Sequence, residues 1–263
     1  MGQYHSVINL DKRAGYSPRS IGSFIKAAEQ GQSFTPGAAL LLLLSDPTGW
    51  GGERIAIVGD YAEDADLDNS PFPASELWGR INDSRGVKNV GWLARKVIED
   101  AGVATFEQKK SKVHQGYGVY TEHTRYEYTI HDFASHALAR SITVYNHDKR
   151  ERITPPHFGD PDALLDVIRE GWNGGTATAL TILLAASCKG GRRGGGDYDG
   201  EHPLVGSWAG DHISVTPEVE GPEGYTDISA TLRDEVMEHQ VWGVHYEADE
   251  KGRITRSDEF SAL

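Results

Sequence analysis

Cysteine is almost missing from this chain of 263 residues. Cys188 stands alone, which excludes an internal disulfide and any multi-cysteine zinc site. It ends an apolar stretch with no base beside it in sequence, so a small buried filler is expected rather than a nucleophile. Long apolar runs are missing too. The longest, Ala38 to Leu44, falls far short of the ~20 residues that cross a bilayer. Met1-Gly2-Gln3-Tyr4-His5 has neither the basic nor the apolar region of a secretory signal. A cytoplasmic protein without membrane association is expected. Basic residues are in deficit, 26 against 39 acids, for a formal net charge of −13. Such a surface repels phosphate backbones, so nucleic acid is not an expected partner.

Catalytic signatures are lacking as well. No Gly-x-Ser-x-Gly elbow occurs, and none of the 11 histidines has His-x-x-x-His or His-Glu-x-x-His spacing. The sequence therefore assigns no catalytic residue and no cofactor, and it leaves the oligomeric state open.

What is present is an internal correspondence. Val7-Ile8-Asn9-Leu10-Asp11-Lys12-Arg13 returns as Val144-Tyr145-Asn146-His147-Asp148-Lys149-Arg150, identical at five of seven positions and displaced by 137 residues. In both places a proline-initiated amphipathic stretch follows, from Ser17-Pro18 and from Asp160-Pro161. A nearly all-apolar segment comes next, Gly37 to Ser45 and Thr176 to Ser187, expected as a helix buried on every side. Trp50-Gly51-Gly52-Glu53-Arg54-Ile55 then matches Trp208-Ala209-Gly210-Asp211-His212-Ile213 at an offset of 158. The two tryptophans are expected as core anchors. Alternation at Ile55, Ile57 and at Ile213, Val215 predicts strands. Helices are expected over 90–100 and 229–239, and each half should close with a strand pair: 103–106 with 112–113, and 241–246 with 253–254.

The expected architecture is α/β (α+β): two tandem homologous units with mixed sheets and buried helices in a pseudo-twofold arrangement. Residues 1–114 form the first unit, 115–138 a linking hairpin, and 139–263 the second unit.

Met1-Gly2-Gln3-Tyr4-His5, Asn9 to Arg13, Gly59-Asp60-Tyr61-Ala62-Glu63, Gly194-Gly195-Gly196-Asp197 and Gly206-Ser207-Trp208-Ala209-Gly210-Asp211 carry a family resemblance. In these the chain resembles functionally uncharacterised proteins of actinobacteria and their phages that begin MGQYHK-VNLDKRE. Members carry the motifs once, in a shorter chain, whereas here they are divided between two halves. The resemblance implies an actinobacterial or phage origin and brings no activity with it.

Three clusters are candidate sites. Lys189, Arg192 and Arg193 lie in a glycine-rich stretch whose amides and cations suit an anion. A phosphate loop, however, runs from a strand into a helix, and this stretch follows a helix. Asp60, Asp64, Asp66 and Asp68 crowd a loop that imitates the start of a calcium site. It has Asn69 where that loop needs glycine and Ser75 where it needs glutamate. Asp11, Lys12, Arg13 and Asp148, Lys149, Arg150 are read either as structural turns or as a ligand-binding pair across the pseudo-twofold. The leading functional expectation is a non-enzymatic accessory protein that binds a small molecule or a host protein at the seam between the halves. The alternatives are a metal-assisted nucleotide or phosphoester-processing enzyme and a minor virion structural protein.

Overall fold

Residues that alternate apolar and small along short segments build one mixed sheet of eight strands. A computed structural model describes residues 3–21, 26–27, 34–46, 48–68, 70–83, 85–102, 104–116, 119–130, 142–154, 176–191, 198, 201–216, 222–232, 245–248 and 254–257. The sheet strands are β1 (His5–Asn9), β2 (Ala14–Tyr16), β3 (Glu53–Gly59), β4 (Lys88–Asn89), β7 (Thr143–Asn146), β8 (Glu151–Ile153), β9 (Asp211–Thr216) and β10 (Thr226–Asp227). Two strands, β5 (Ala104–Gly116) and β6 (Val119–Ile130), form a separate hairpin, and β11 (His245–Ala248) pairs with β12 (Ile254–Ser257).

The order across the sheet is β10-β8-β7-β9-β3-β1-β2-β4, and it reads the same from either edge once the halves are exchanged. Asn9 pairs with Ile55 and Ala14, and Asn146 pairs with Ile213 and Glu151. The edge strands join in parallel on both sides, Ala14 with Lys88 and Glu151 with Thr226. At the centre β3 and β9 run antiparallel, with Arg54 opposite His212. Those two residues occupy corresponding positions, so the pseudo-twofold passes between them. The chain is thus α/β as expected, but the halves share one sheet rather than forming two sheet layers.

Helices α1 (Phe34–Ser45), α3 (Gly91–Asp100) and α4 (Thr176–Leu184) cover the first face. The core there joins Val7, Ile55 and Ile57 to Val144, Ile213 and Val215. Helix α1 packs against β9 and against α4, while α4 packs against β3, so each half seats its helix on the other half's strand. Trp50 and Trp208 are both buried, and their amides donate to Leu43 and Leu183 at 2.8 Å. Helix α1 is not buried on every side, because Leu42 is only half-buried while its neighbours Leu43 and Leu44 are 1% exposed.

Helix α2 (Ala74–Asn82) covers the second face in the first half, and among the described residues no helix corresponds to it in the second. Its Leu77 and Ile81, one turn apart, seat on Ile8, Leu10, Ala56 and Val58. Gly15 makes room for it: a Cβ there would stand 2.9 Å from Ile81 Cδ1 and 2.8 Å from Val7 O.

The linking hairpin begins earlier than the expected 115–138. Segments 104–106 and 112–113, expected to pair with each other in the first half, lie in the single strand β5. The segment Glu107-Gln108-Lys109-Lys110 has no apolar alternation, so the pattern that marks a half-buried strand is missing along it. The expected helix over 229–239 is described only as a single turn, Ser229–Thr231.

Candidate functional site

Each half begins with a hairpin whose turn is built identically. Asn9 Oδ1 accepts the Lys12 amide at 2.9 Å, and Asn146 Oδ1 accepts the Lys149 amide at 3.0 Å. The chain then passes through the left-handed region at Arg13 (φ 47°) and Arg150 (φ 56°). Arginine pays about 1–2 kcal/mol there where glycine would not. Both arginines lie over an aromatic ring of the following segment: Arg13 over Phe72 at 5.5 Å and Arg150 over Tyr225 at 4.9 Å. The lysines are turned into the fold. Lys12 Nζ donates to Gly49 O and pairs with Glu53 at 3.0 Å, and Lys149 Nζ donates to Ser207 O and pairs with Asp211 at 3.5 Å.

The aspartates of the two turns meet the pseudo-twofold. Asp11 Oδ1 receives Arg54 Nη2 at 2.6 Å and Nε at 2.7 Å, while its Oδ2 receives the Arg54 amide at 2.8 Å. Asp148 Oδ2 receives the His212 amide at 2.7 Å and lies 2.9 Å from the ring Nδ1. Burial raises both carboxyls, but these hydrogen bonds and nearby charges outweigh it and leave both below the ordinary value. The expected ligand-binding pair is therefore largely engaged in holding the turns to the central strands. Among these six residues, Arg13 and Arg150 have no acid partner among the described residues.

Beside this seam the halves differ in a systematic way. Where the first half places Ile8, Leu10, Ala56, Val58 and Val87 under α2, the second half places Tyr145, His147, Ser214, Thr216 and Tyr225. Gly15, which admits α2, is replaced by Arg152. Residues 60–87, 28 in all, connect β3 to β4, but only residues 217–225, 9 in all, connect β9 to β10. That is too short to hold a covering helix together with its two connections.

The polar substitutes bind one another. His147 Nδ1 lies 2.8 Å from Tyr225 Oη, and Nε2 lies 2.8 Å from Ser214 Oγ. Tyr225 meets the Tyr145 ring edge-on at 5.0 Å. Burial lowers the His147 imidazole below its ordinary value, and His212 and Arg150 act the same way against Asp148. The ring is thus held neutral, with one nitrogen that donates and one that accepts. Tyr145 is 1% exposed, yet its hydroxyl has no hydrogen-bond partner among the described residues. Thr143 Oγ1 is unpaired too, as is the corresponding Ser6 Oγ. Thr143 therefore does not distinguish the halves, whereas Tyr145 stands where the first half has Ile8.

The acidic loop does not converge. Asp60 Oδ1 accepts the Tyr4 amide at 2.9 Å, Asp64 Oδ1 accepts Ser75 Oγ at 2.7 Å, and Asp66 Oδ2 accepts the Glu63 amide at 2.8 Å. These bonds shape the loop and the start of α2. Among the described residues no three His, Cys, Asp or Glu side chains are placed to hold a metal. Lys189 crosses from the second half to donate to Asp66 O at 3.1 Å. Burial, with Lys149 near, pulls its ammonium below the ordinary value against Asp68 and Asp211. Lys189 is thereby a clasp between the halves. Arg192 and Arg193 lie outside the described residues.

Cys188 is fully buried, as a filler should be, and the base that sequence did not place beside it is His5, 3.9 Å from the thiol.

Comparison with protein-family models, with curated proteins and with solved structures gives no match. The second-face cluster escaped motif reading because its members belong to two strands, β7 and β9, and to the turn and the loop that hold His147 and Tyr225. Its signal lay in the internal correspondence itself: at offsets of 137 and 158, four apolar residues become Tyr145, His147, Ser214 and Thr216.

Proposed function

We propose that the protein binds a small molecule on the second sheet face of its second half, beside the seam. The protein would then be an accessory binding protein built from two copies of one ancestral unit, one specialised for stability and the other for recognition. The replacement of a helix-covered apolar patch by Tyr145, His147, Ser214 and Tyr225 carries this reading. A face that merely lost its cover would need only soluble side chains. Here the substitutes include a buried aromatic hydroxyl without a partner among the described residues, which costs free energy until something bonds to it. Ligand sites commonly combine aromatic walls with a few such polar groups. The metal-assisted phosphoester reading has no comparable support, since Asp60, Asp64 and Asp66 are each bonded in a different direction.

A thermal-shift screen of metabolites against the full chain and His147→Leu/Ser214→Ala tests the proposal. The site predicts compounds that raise the melting temperature of the unsubstituted protein and not of the variant. Compounds that stabilise both equally would place binding elsewhere.

A further inference from the structure

We infer that the ligand of this face carries an anionic oxygen group, carboxylate or phosphate, attached to a flat ring; the inference rests on the proposed site and names what it recognises. Tyr225 is the hub of this face. Its hydroxyl meets His147 at 2.8 Å, its ring meets Tyr145 at 5.0 Å, and the Arg150 guanidinium lies 4.9 Å from its centroid. A cation, a neutral imidazole and an unpaired hydroxyl are therefore gathered around one ring. Arg150 has no acid partner among the described residues, although the chain carries a net charge of −13. The carboxylates beside it are engaged: Asp148 with His212 at 2.9 Å and Asp227 with Arg152 at 3.4 Å.

The groups left to a ligand are thus the Arg150 guanidinium and the Tyr145 hydroxyl, both able to donate, which match an oxyanion better than an amine or a cation. The half-buried rings of Tyr225 and His147 offer flat surface beside those donors, which suits a planar body. The first half supplies an internal contrast. Arg13, Gly86, Val87, Lys88 and Asn89 line an open cavity of about 470 Å³ there, with a second cation but with Val87 in place of the Tyr225 ring and Ile8 in place of the Tyr145 hydroxyl. That cleft has the Phe72 ring under Arg13 at 5.5 Å, but Ile8 and Leu10 stand where the second half has a hydroxyl and an imidazole.

Calorimetric titration of the full chain with benzoate, phenyl phosphate and the uncharged benzamide, at constant ionic strength, tests the inference. Saturable binding of benzoate or of phenyl phosphate is expected, and which of the two binds assigns the oxygen group. Benzamide should bind at least about tenfold more weakly, and Arg150→Ala should weaken the anion by a similar factor. Tyr145→Phe should weaken it too, while raising the melting temperature of the ligand-free protein. The inference is overturned by equal binding of benzamide, by loss of affinity in Arg13→Ala instead of Arg150→Ala, or by no saturable binding of either anion. Neutral-ring binding that Tyr145→Phe weakens would leave the site in place and remove only its anion. A fall in melting temperature for ligand-free Tyr145→Phe would show the hydroxyl to be structural and remove the site as well.

Discussion

Arg54 and His212 stand opposite one another across β3 and β9, at corresponding positions of the two halves, each fastened to the aspartate of its own half. The contact that joins the halves is therefore one position meeting its counterpart, as in an isologous interface folded into a single chain. Arg54→Ala removes both guanidinium bonds to Asp11 Oδ1 but leaves the Asp11 bond to the backbone amide. A loss of about 1 kcal/mol in urea unfolding is expected, reduced in high salt. No measurable loss would show the pair to be a surface ornament.

The shared core makes the halves interdependent. Because α1 seats on β9 and α4 on β3, a chain ending at Ile130 leaves β3 unpaired on one side and α1 without its strand. Residues 1–130 and 139–263 made separately should show no cooperative unfolding. Cooperative melting of either fragment by circular dichroism would contradict the shared core.

Position matters within α1. Leu43→Asp buries a carboxylate at a site 1% exposed and should unfold the chain, since such a charge costs several kcal/mol against a total of roughly 5–15. Leu42→Asp, at a half-buried site, should lower the melting temperature and leave a folded protein. Similar behaviour of the two variants would place Leu42 in the core.

Helices α1, α3 and α4 and both tryptophans are legible in the sequence, because apolar periodicity and the internal repeat are local, whereas α2 is not anticipated there. The sequence did not reveal the single sheet. Pairing of Arg54 with His212 is non-local and leaves no spacing signal, so the sequence alone points to two separate sheets. The acidic loop was legible as composition and misleading as chemistry, because hydrogen bonds to Tyr4, Ser75 and Glu63 decide where those carboxylates go. The polar face was legible in principle, but only by comparing the halves where they differ rather than where they agree.

Acid should weaken the fold through His147. Its neighbours are Ser214, Tyr225, Asp148, His212 and Arg150, and its folded value lies below the ordinary 6.5, chiefly through burial. The unfolded chain therefore takes up a proton first as pH falls. Stability tied to the neutral ring is complete above about 6.5 and declines from there toward the folded value. Asp11 and Asp148 are depressed carboxylates whose contribution persists above about 3.8 and fails only below it. Melting temperature should accordingly fall between about pH 7 and 5, and less so in His147→Gln. An unchanged slope in the variant would show that other histidines set it.

On the proposed reading, the second half gave up a covering helix for a ligand. Native mass spectrometry of the full chain purified from the cells that naturally make it tests this most directly, alongside Tyr145→Ile/His147→Leu/Ser214→Ala, which restores the first half's residues on that face. A small non-covalent mass retained by the unsubstituted protein and missing from the variant is expected, with the variant folded and at least as resistant to heat. A mass retained equally by both, or a variant that fails to fold because the polar cluster is structural, would contradict it.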